Sequence, residues 1–301
     1  MATERELRFR MTGAIRRASR LMKEQPVEID LAPRQEAAFT RAMSVLNKAG
    51  VPYLVSGALA FYCYTDIWRN TKDLDLFLKP EDRDRAVLAL ANAEYRVEVT
   101  VQSWLAKAFA GDSMVDLITG SGNVLIPIDD SWFANAVPAN VLGIRTLLVS
   151  VTDLIWIKAY VAGRERFDGA DIAHMIRRAS DSIDWQKLLD RFGAHWELLL
   201  MYLTYYRFVY PEARQNVPAW VMENLTKRLL ADLREPEQPA EPFRGTLLDR
   251  FSYLIDIMRW GEPDVREWLA RQRHLSVEEV IDERAADIER VRSGQVGGSA
   301  G

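Results

Sequence analysis

Leu54-Val55-Ser56-Gly57-Ala58-Leu59-Ala60, followed after eight intervening residues by Arg69-Asn70-Thr71-Lys72-Asp73-Leu74-Asp75-Leu76-Phe77-Leu78, is the stretch on which the reading of this chain turns. Val51 to Val55 reads as a short buried strand. Ser56-Gly57 breaks it, and Ala58 to Tyr62 is helix-like. A glycine at a strand-to-helix turn lets backbone N–H groups approach a ligand, and the helix N-terminus behind it favours an anion. Asp73 and Asp75, two positions apart on an extended strand, project to one face while Leu74 turns into the core. Two ionised carboxylates so placed repel unless a cation neutralises them or a proton is shared. Oxygen ligands of this kind suit Mg²⁺, commonly held by one or two carboxylates together with substrate phosphates. An isolated Asp-x-Asp is more often a solvated acidic pair. Here a phosphate cradle precedes it, and Arg69, Thr71 and Lys72 adjoin it, all within one strand–turn–helix–loop–strand unit.

In these two motifs the chain resembles the polymerase-β-like nucleotidyltransferase superfamily, and within it the minimal, abortive-infection toxin-type branch. Ser56-Gly57 stands where those families often carry Gly-Gly or Gly-Ser. The resemblance implies a third carboxylate on a later strand. Asp116 is the candidate, a charge inside the apolar run Ser113-Met114-Val115-Asp116-Leu117-Ile118-Thr119, where an unpaired carboxylate is costly. The alternative for Asp116 is an ion pair with a nearby arginine. Asp112 follows Gly111 and reads as a turn residue. By the same resemblance Asp73, Asp75 and Asp116 are catalytic and hold Mg²⁺, or Mn²⁺ in its place. Ser56, Gly57, Arg69, Thr71, Lys72 and Lys158 are the expected nucleotide contacts.

Ser150-Val151-Thr152-Asp153-Leu154-Ile155-Trp156-Ile157-Lys158 running on to Arg164, Asp168 and Asp171 resembles a second signature of that branch. It implies that Lys158 reaches the triphosphate while Arg164, Asp168 and Asp171 tie two helices together behind the site. From the residues alone, Ser150-x-x-Asp153 and Asp168-x-x-Asp171 read as capping boxes, and Gly163 as a helix end. On that reading Asp168 and Asp171 are structural. Lys158, on a largely apolar helix, needs an anion.

The 301 residues, 49% hydrophobic and 27% charged, suffice for a sizeable core and two domains. No long uncharged apolar run predicts a membrane span, and no secretory pattern opens the chain, so a cytoplasmic protein is expected. Cys63, the single cysteine, lies in Phe61-Tyr62-Cys63-Tyr64 and reads as a small buried hydrophobe. His174, His195 and His274 lack zinc-ligand spacing. Residues 1–24 carry a net +4, leaving −8 on the rest, with Leu7, Met11, Ala14, Ala18 and Leu21 at helical spacing. Such a helix could contact RNA or a membrane surface, but more often packs on the body with its arginines solvated.

The expected fold is α+β. A helical extension (residues 1–50) precedes a small mixed-sheet nucleotidyltransferase domain backed by helices (51–149). An all-helical C-terminal domain (150–292) and a Gly/Ser-rich disordered tail (293–301) follow. Strands are expected at 52–55, 74–79, 95–101, 104–109 and 113–119, and residues 125–141 read as loop with short elements. The aromatics from Trp196 to Tyr210 have helical spacing and read as core, not as a base-stacking platform. The expected activity is metal-dependent transfer of a nucleoside monophosphate from a nucleoside triphosphate to a hydroxyl on an RNA end, a protein or a small molecule. A non-catalytic nucleotide-binding or toxin–antitoxin component with a decayed site is the alternative, and would have a protein partner. A glycosyltransferase would also use Asp-x-Asp, but needs neither the Ser-Gly turn nor a third strand carboxylate.

Overall fold

A computed structural model describes residues 29–234 and 242–293. The basic stretch 1–24 and the tail from 294 onward lie outside the described residues. Helix α1 (Pro33–Lys48) buries Phe39, Ala42, Met43 and Leu46, the i, i+3, i+4, i+7 stripe of an amphipathic helix. Strand β1 (Leu54–Val55) leads through Ser56 into α2 (Gly57–Thr65), and a loop returns to β2 (Asp73–Phe77). Then come α3 (Arg83–Asn92), β3 (Arg96–Val101), β4 (Leu105–Ala110) and β5 (Ser113–Ile118). A short α4 (Asp130–Ala134) precedes the hairpin of β6 (Val137–Val141) and β7 (Ile144–Leu148).

These strands form one mixed sheet in the order β3-β4-β5-β2-β1-β7-β6. β2 pairs parallel with β5 and antiparallel with β1, and β1 pairs parallel with β7. Leu74, Leu76, Val115 and Leu117 are wholly buried on one face, so the alternate residues of β2 and β5 necessarily project from the other. α1 packs against β5 and β7, and α3 against β3 and β4.

Residues 125–141, expected as loop with short elements, hold α4 and β6; the strand β7 and the β6–β7 hairpin were not expected. The hairpin's turn residues Leu142 and Gly143 have φ of 51° and 80°. Two successive left-handed residues give the turn that matches strand twist, usually written Asn-Gly. With leucine in the first place the usual signal is missing.

After residue 150 no strand occurs among the described residues. The main helices are α5 (Val151–Ala159), α6 (Gly169–Ala179), α7 (Trp185–Phe192), α8 (Trp196–Val209), α9 (Ala219–Asp232), α10 (Val265–Gln272) and α11 (Val277–Arg292). Ser150 Oγ accepts the Asp153 N–H at 3.1 Å, capping α5 as expected. The Asp153 carboxylate, fully buried, binds Lys187 Nζ at 2.6 Å and Arg191 Nε at 3.0 Å, fixing α5 to α7. On α8 the Tyr202 and Tyr206 rings are buried and their hydroxyls donate to the carbonyls of Ala159 and Ala213 at 3.0 Å, which places them in the core. Cys63 is exposed on α2, not buried. Gly-Ala-Leu-Ala-Phe-Tyr-Cys-Tyr-Thr is apolar on every side, so no periodicity tells which position faces outward.

Candidate active site

The register of β2 and β5 sets Asp75 directly beside Asp116, and Asp73 follows two positions away on the same face. Carboxylate oxygens of Asp73, Asp75 and Asp116 lie within 4.8 Å of one another. Burial, then the negative charges of Asp73 and Asp116, push the Asp75 carboxyl up to about 7, against the opposing pull of Arg166 and Lys158. Asp116 is also raised, by burial, with Lys107 drawing it back. The partner of Asp116 is therefore a lysine of the neighbouring strand, not an arginine. This is a surplus of negative charge on hard oxygen donors in one small volume. It fits a divalent cation such as Mg²⁺ or Mn²⁺.

Gly57 makes that geometry possible. Its φ is +58°, in the region that favours glycine, and a Cβ there would fall 1.7 Å from Asp75 Oδ2. The Ser56 N–H donates to the Asp75 carbonyl at 2.9 Å, so the turn is pinned to β2 beside the carboxylate it faces. Ser56 is buried at the N-cap of α2, and its hydroxyl does not cap the helix.

The remaining expected contacts have separate surroundings. Thr71 Oγ1 donates to Asp73 Oδ1 at 2.7 Å, orienting that carboxylate, and Gln35 Nε2 donates to the Thr71 carbonyl at 2.6 Å, holding the loop. Lys72 is exposed beside Asp73. Arg69 lies 5.1 Å above the Phe61 ring and pairs with Asp171.

Lys158 is buried and donates to Asp168 Oδ2 at 2.7 Å and Asp171 Oδ2 at 2.8 Å. Asp168 occupies the N-cap position of α6, but its carboxylate makes no capping bond. It takes Lys158 instead, and also Arg166, whose Nε and Nη2 each lie 3.1 Å from it. Burial alone would raise the Asp168 carboxyl, but the charges of Lys158 and Arg166 outweigh it and hold the group below its ordinary value. Arg164, expected in this role, is exposed and pairs with Glu165. The result is an alternating row, Arg69–Asp171–Lys158–Asp168–Arg166, that ties α5 and α6 to the loop before β2.

Truncating a central member of a buried charge network leaves its partners uncompensated. Lys158→Met is therefore expected to lower the unfolding free energy by about 3 kcal/mol, read as an earlier denaturant midpoint. An unmoved midpoint together with lost triphosphate affinity would assign the ammonium to the nucleotide instead.

Sequence reasoning passed over Arg166 and Lys107. Lys107 carried a readable signal, since it is the lone charge in Leu105-Ala106-Lys107-Ala108-Phe109-Ala110, the same kind of anomaly that singled out Asp116. Arg166 and Arg164 differ by a loop geometry that spacing does not encode.

A family model described as uncharacterised nucleotidyltransferase matches residues 20–207. None of the curated proteins matches the chain. Among solved structures, the antibiotic-resistance factor ANT(2'')-Ia is 17% identical, covering 54% of this chain and 90% of that one with a TM-score of 0.41. The lincosamide antibiotic adenylyltransferase LnuA is 12% identical, with coverage of 48% and 98% and a TM-score of 0.36. An antigenic nucleotidyltransferase-like protein from Paracoccidioides brasiliensis is 15% identical, with coverage of 62% and 92% and a TM-score of 0.39.

Proposed function

The chain belongs to this nucleotidyltransferase family, and from that premise we propose that it transfers a nucleoside monophosphate from a nucleoside triphosphate to an acceptor hydroxyl, with a divalent cation held by Asp73, Asp75 and Asp116. The observation that carries the reading is the carboxylate triad gathered within 4.8 Å against a glycine turn that leaves room for it. Bound there, Mg²⁺ or Mn²⁺ would supply charge neutralisation for the phosphates and the pentavalent transition state.

The protein's own residues account for the rest. The Ser56 N–H is held by the Asp75 carbonyl, so it is the N-terminus of α2 from Gly57 onward that would offer backbone N–H groups to the phosphates. The Arg166 charge is felt at Asp75 and its side chain is exposed, which supports a phosphate contact; Arg69 and Lys72 lie on a different loop, the one leading into β2. Lys158, enclosed by two carboxylates, supports a framework role behind these cations. In the transfer step the acceptor oxygen bonds to the α-phosphorus and the bond from that phosphorus to the bridging oxygen breaks. Pyrophosphate leaves with the electron pair. The acceptor proton passes to Asp116, whose raised affinity for protons suits a base. Holding the nucleotide and acceptor in line supplies much of the remaining acceleration.

The test uses the purified chain, Mg²⁺, a cell lysate and each α-³²P-labelled nucleoside triphosphate in turn. Label is expected to appear in a single class of product, RNA, protein or small molecule, and to vanish when EDTA is added. Nucleotide binding without any metal-dependent labelling would favour the non-catalytic reading.

A further inference from the structure

Lys107 stands opposite Asp116 in the β4–β5 ladder, and Asp116 stands opposite Asp75 in the β5–β2 ladder. Register partners share a face, so Lys107, Asp116 and Asp75 form one row across three adjacent strands. Lys107 Nζ lies 3.1 Å from Asp116 Oδ1 and 3.3 Å from Oδ2, straddling the carboxylate. Met114 Sδ, 3.3 Å from the same nitrogen, closes another side. Ala106 and Ala108, both fully buried, flank the lysine along β4, and its side chain is mostly covered.

A cation placed across both oxygens of a carboxylate occupies the edge that a metal ion would otherwise take. Three carboxylates and one ammonium leave two net negative charges, which one divalent ion neutralises. Asp75, at the end of the row away from Lys107, remains beside Asp73 on β2 without an intervening lysine. Thr71 orients the first of them and Gly57 makes room for the second.

We propose that Lys107 is a built-in substitute for a second metal ion. Asp73 and Asp75 then hold a single divalent cation, and the lysine ammonium fixes and neutralises Asp116 where another ion would bind. This rests on the nucleotidyltransferase reading and narrows it: of the three gathered carboxylates, Asp73 and Asp75 carry the ion, and Asp116, held by Lys107, takes no metal of its own. Lys107 is on this view a positioning residue, acting through Asp116.

The experiment is a count of ions by anomalous scattering from crystals of the full chain grown with Mn²⁺ and α,β-methylene-ATP. Wild type should show one manganese, between Asp73 and Asp75, with Lys107 still on Asp116. Lys107→Met, similar in length but uncharged, should show a second manganese at Asp116. Lys107→Arg should keep one ion, and keeps the test alive should Lys107→Met fail to fold. In solution, the Mg²⁺ dependence of the rate should steepen from a Hill slope near one toward two on losing the lysine charge. Two ions in wild type, or one ion in a folded Lys107→Met chain, would overturn the substitution. No ion in any of these crystals would instead remove the metal-dependent reading beneath it.

Discussion

Asp75→Asn is expected to cut Mg²⁺-dependent transfer by at least 10²–10³-fold, about 3–4 kcal/mol or more of transition-state stabilisation, while making the metal-free protein more stable. The two effects share one cause. Asp75 lies beside Asp73 and Asp116, and burial with those charges lifts its carboxyl to about 7. A group whose folded pKa exceeds its unfolded one contributes stability that is fully present below the unfolded value. That contribution is lost as pH rises through the folded value. The metal-free chain should accordingly weaken between about pH 4 and pH 7, by roughly 2–4 kcal/mol from this group. An amide of the same shape carries no charge, so Asp75→Asn should flatten that slope and melt several degrees higher near pH 8. Adding Mg²⁺ with a nucleoside triphosphate should stabilise wild type and leave the variant unmoved. Asp73→Asn should lose turnover to a similar degree. Turnover retained in either variant would end the transferase reading, and a lower melting temperature for Asp75→Asn would mean the carboxylates are already compensated.

That coupling of function to instability explains which parts of the site were legible. Asp73, Asp75 and Asp116 are charges set into apolar strands, a conflict between local pattern and burial that only a site or an ion pair resolves. The same conflict at Lys107 shows that the signal was present on β4, where a lysine between alanines resembles an ordinary edge position. The alternation of β2 and β5 was readable because each strand has one wholly buried face. The β6–β7 hairpin was not, because Leu142 takes a backbone conformation usually left to asparagine or glycine. The pairing of Lys158 with Asp168 and Asp171 joins residues ten and thirteen positions apart. Asp168-x-x-Asp171 does look like a capping box, and nothing local distinguishes a carboxylate that caps its own helix from one claimed by a lysine of another. Long-range geometry decided it.

Gly57→Ala should be nearly as damaging to activity as losing Asp75, although it adds one methyl group and removes no functional atom. Two penalties coincide at this residue. Its φ of +58° strains any side chain, and the new Cβ would fall 1.7 Å from Asp75 Oδ2 and 2.7 Å from Cγ. No van der Waals contact survives at such distances, so either the carboxylate swings away or the Ser56-Gly57 turn lifts off β2. The hydrogen bond from Ser56 N–H to the Asp75 carbonyl resists the second movement. A displacement of about 1 Å in a metal-holding carboxylate is enough for roughly 10²-fold in rate. Gly143 separates the two penalties. Its φ is +80°, but a Cβ there would meet nothing within 4 Å. Gly143→Ala should therefore cost about 1 kcal/mol of stability and leave turnover per folded molecule unchanged. Gly57→Ala should lose turnover and Mn²⁺ affinity together, measured on folded protein by calorimetry with Mn²⁺ and α,β-methylene-ATP. Wild-type metal affinity in Gly57→Ala would show that Asp75 is not held against the turn, and the cradle would lose its role.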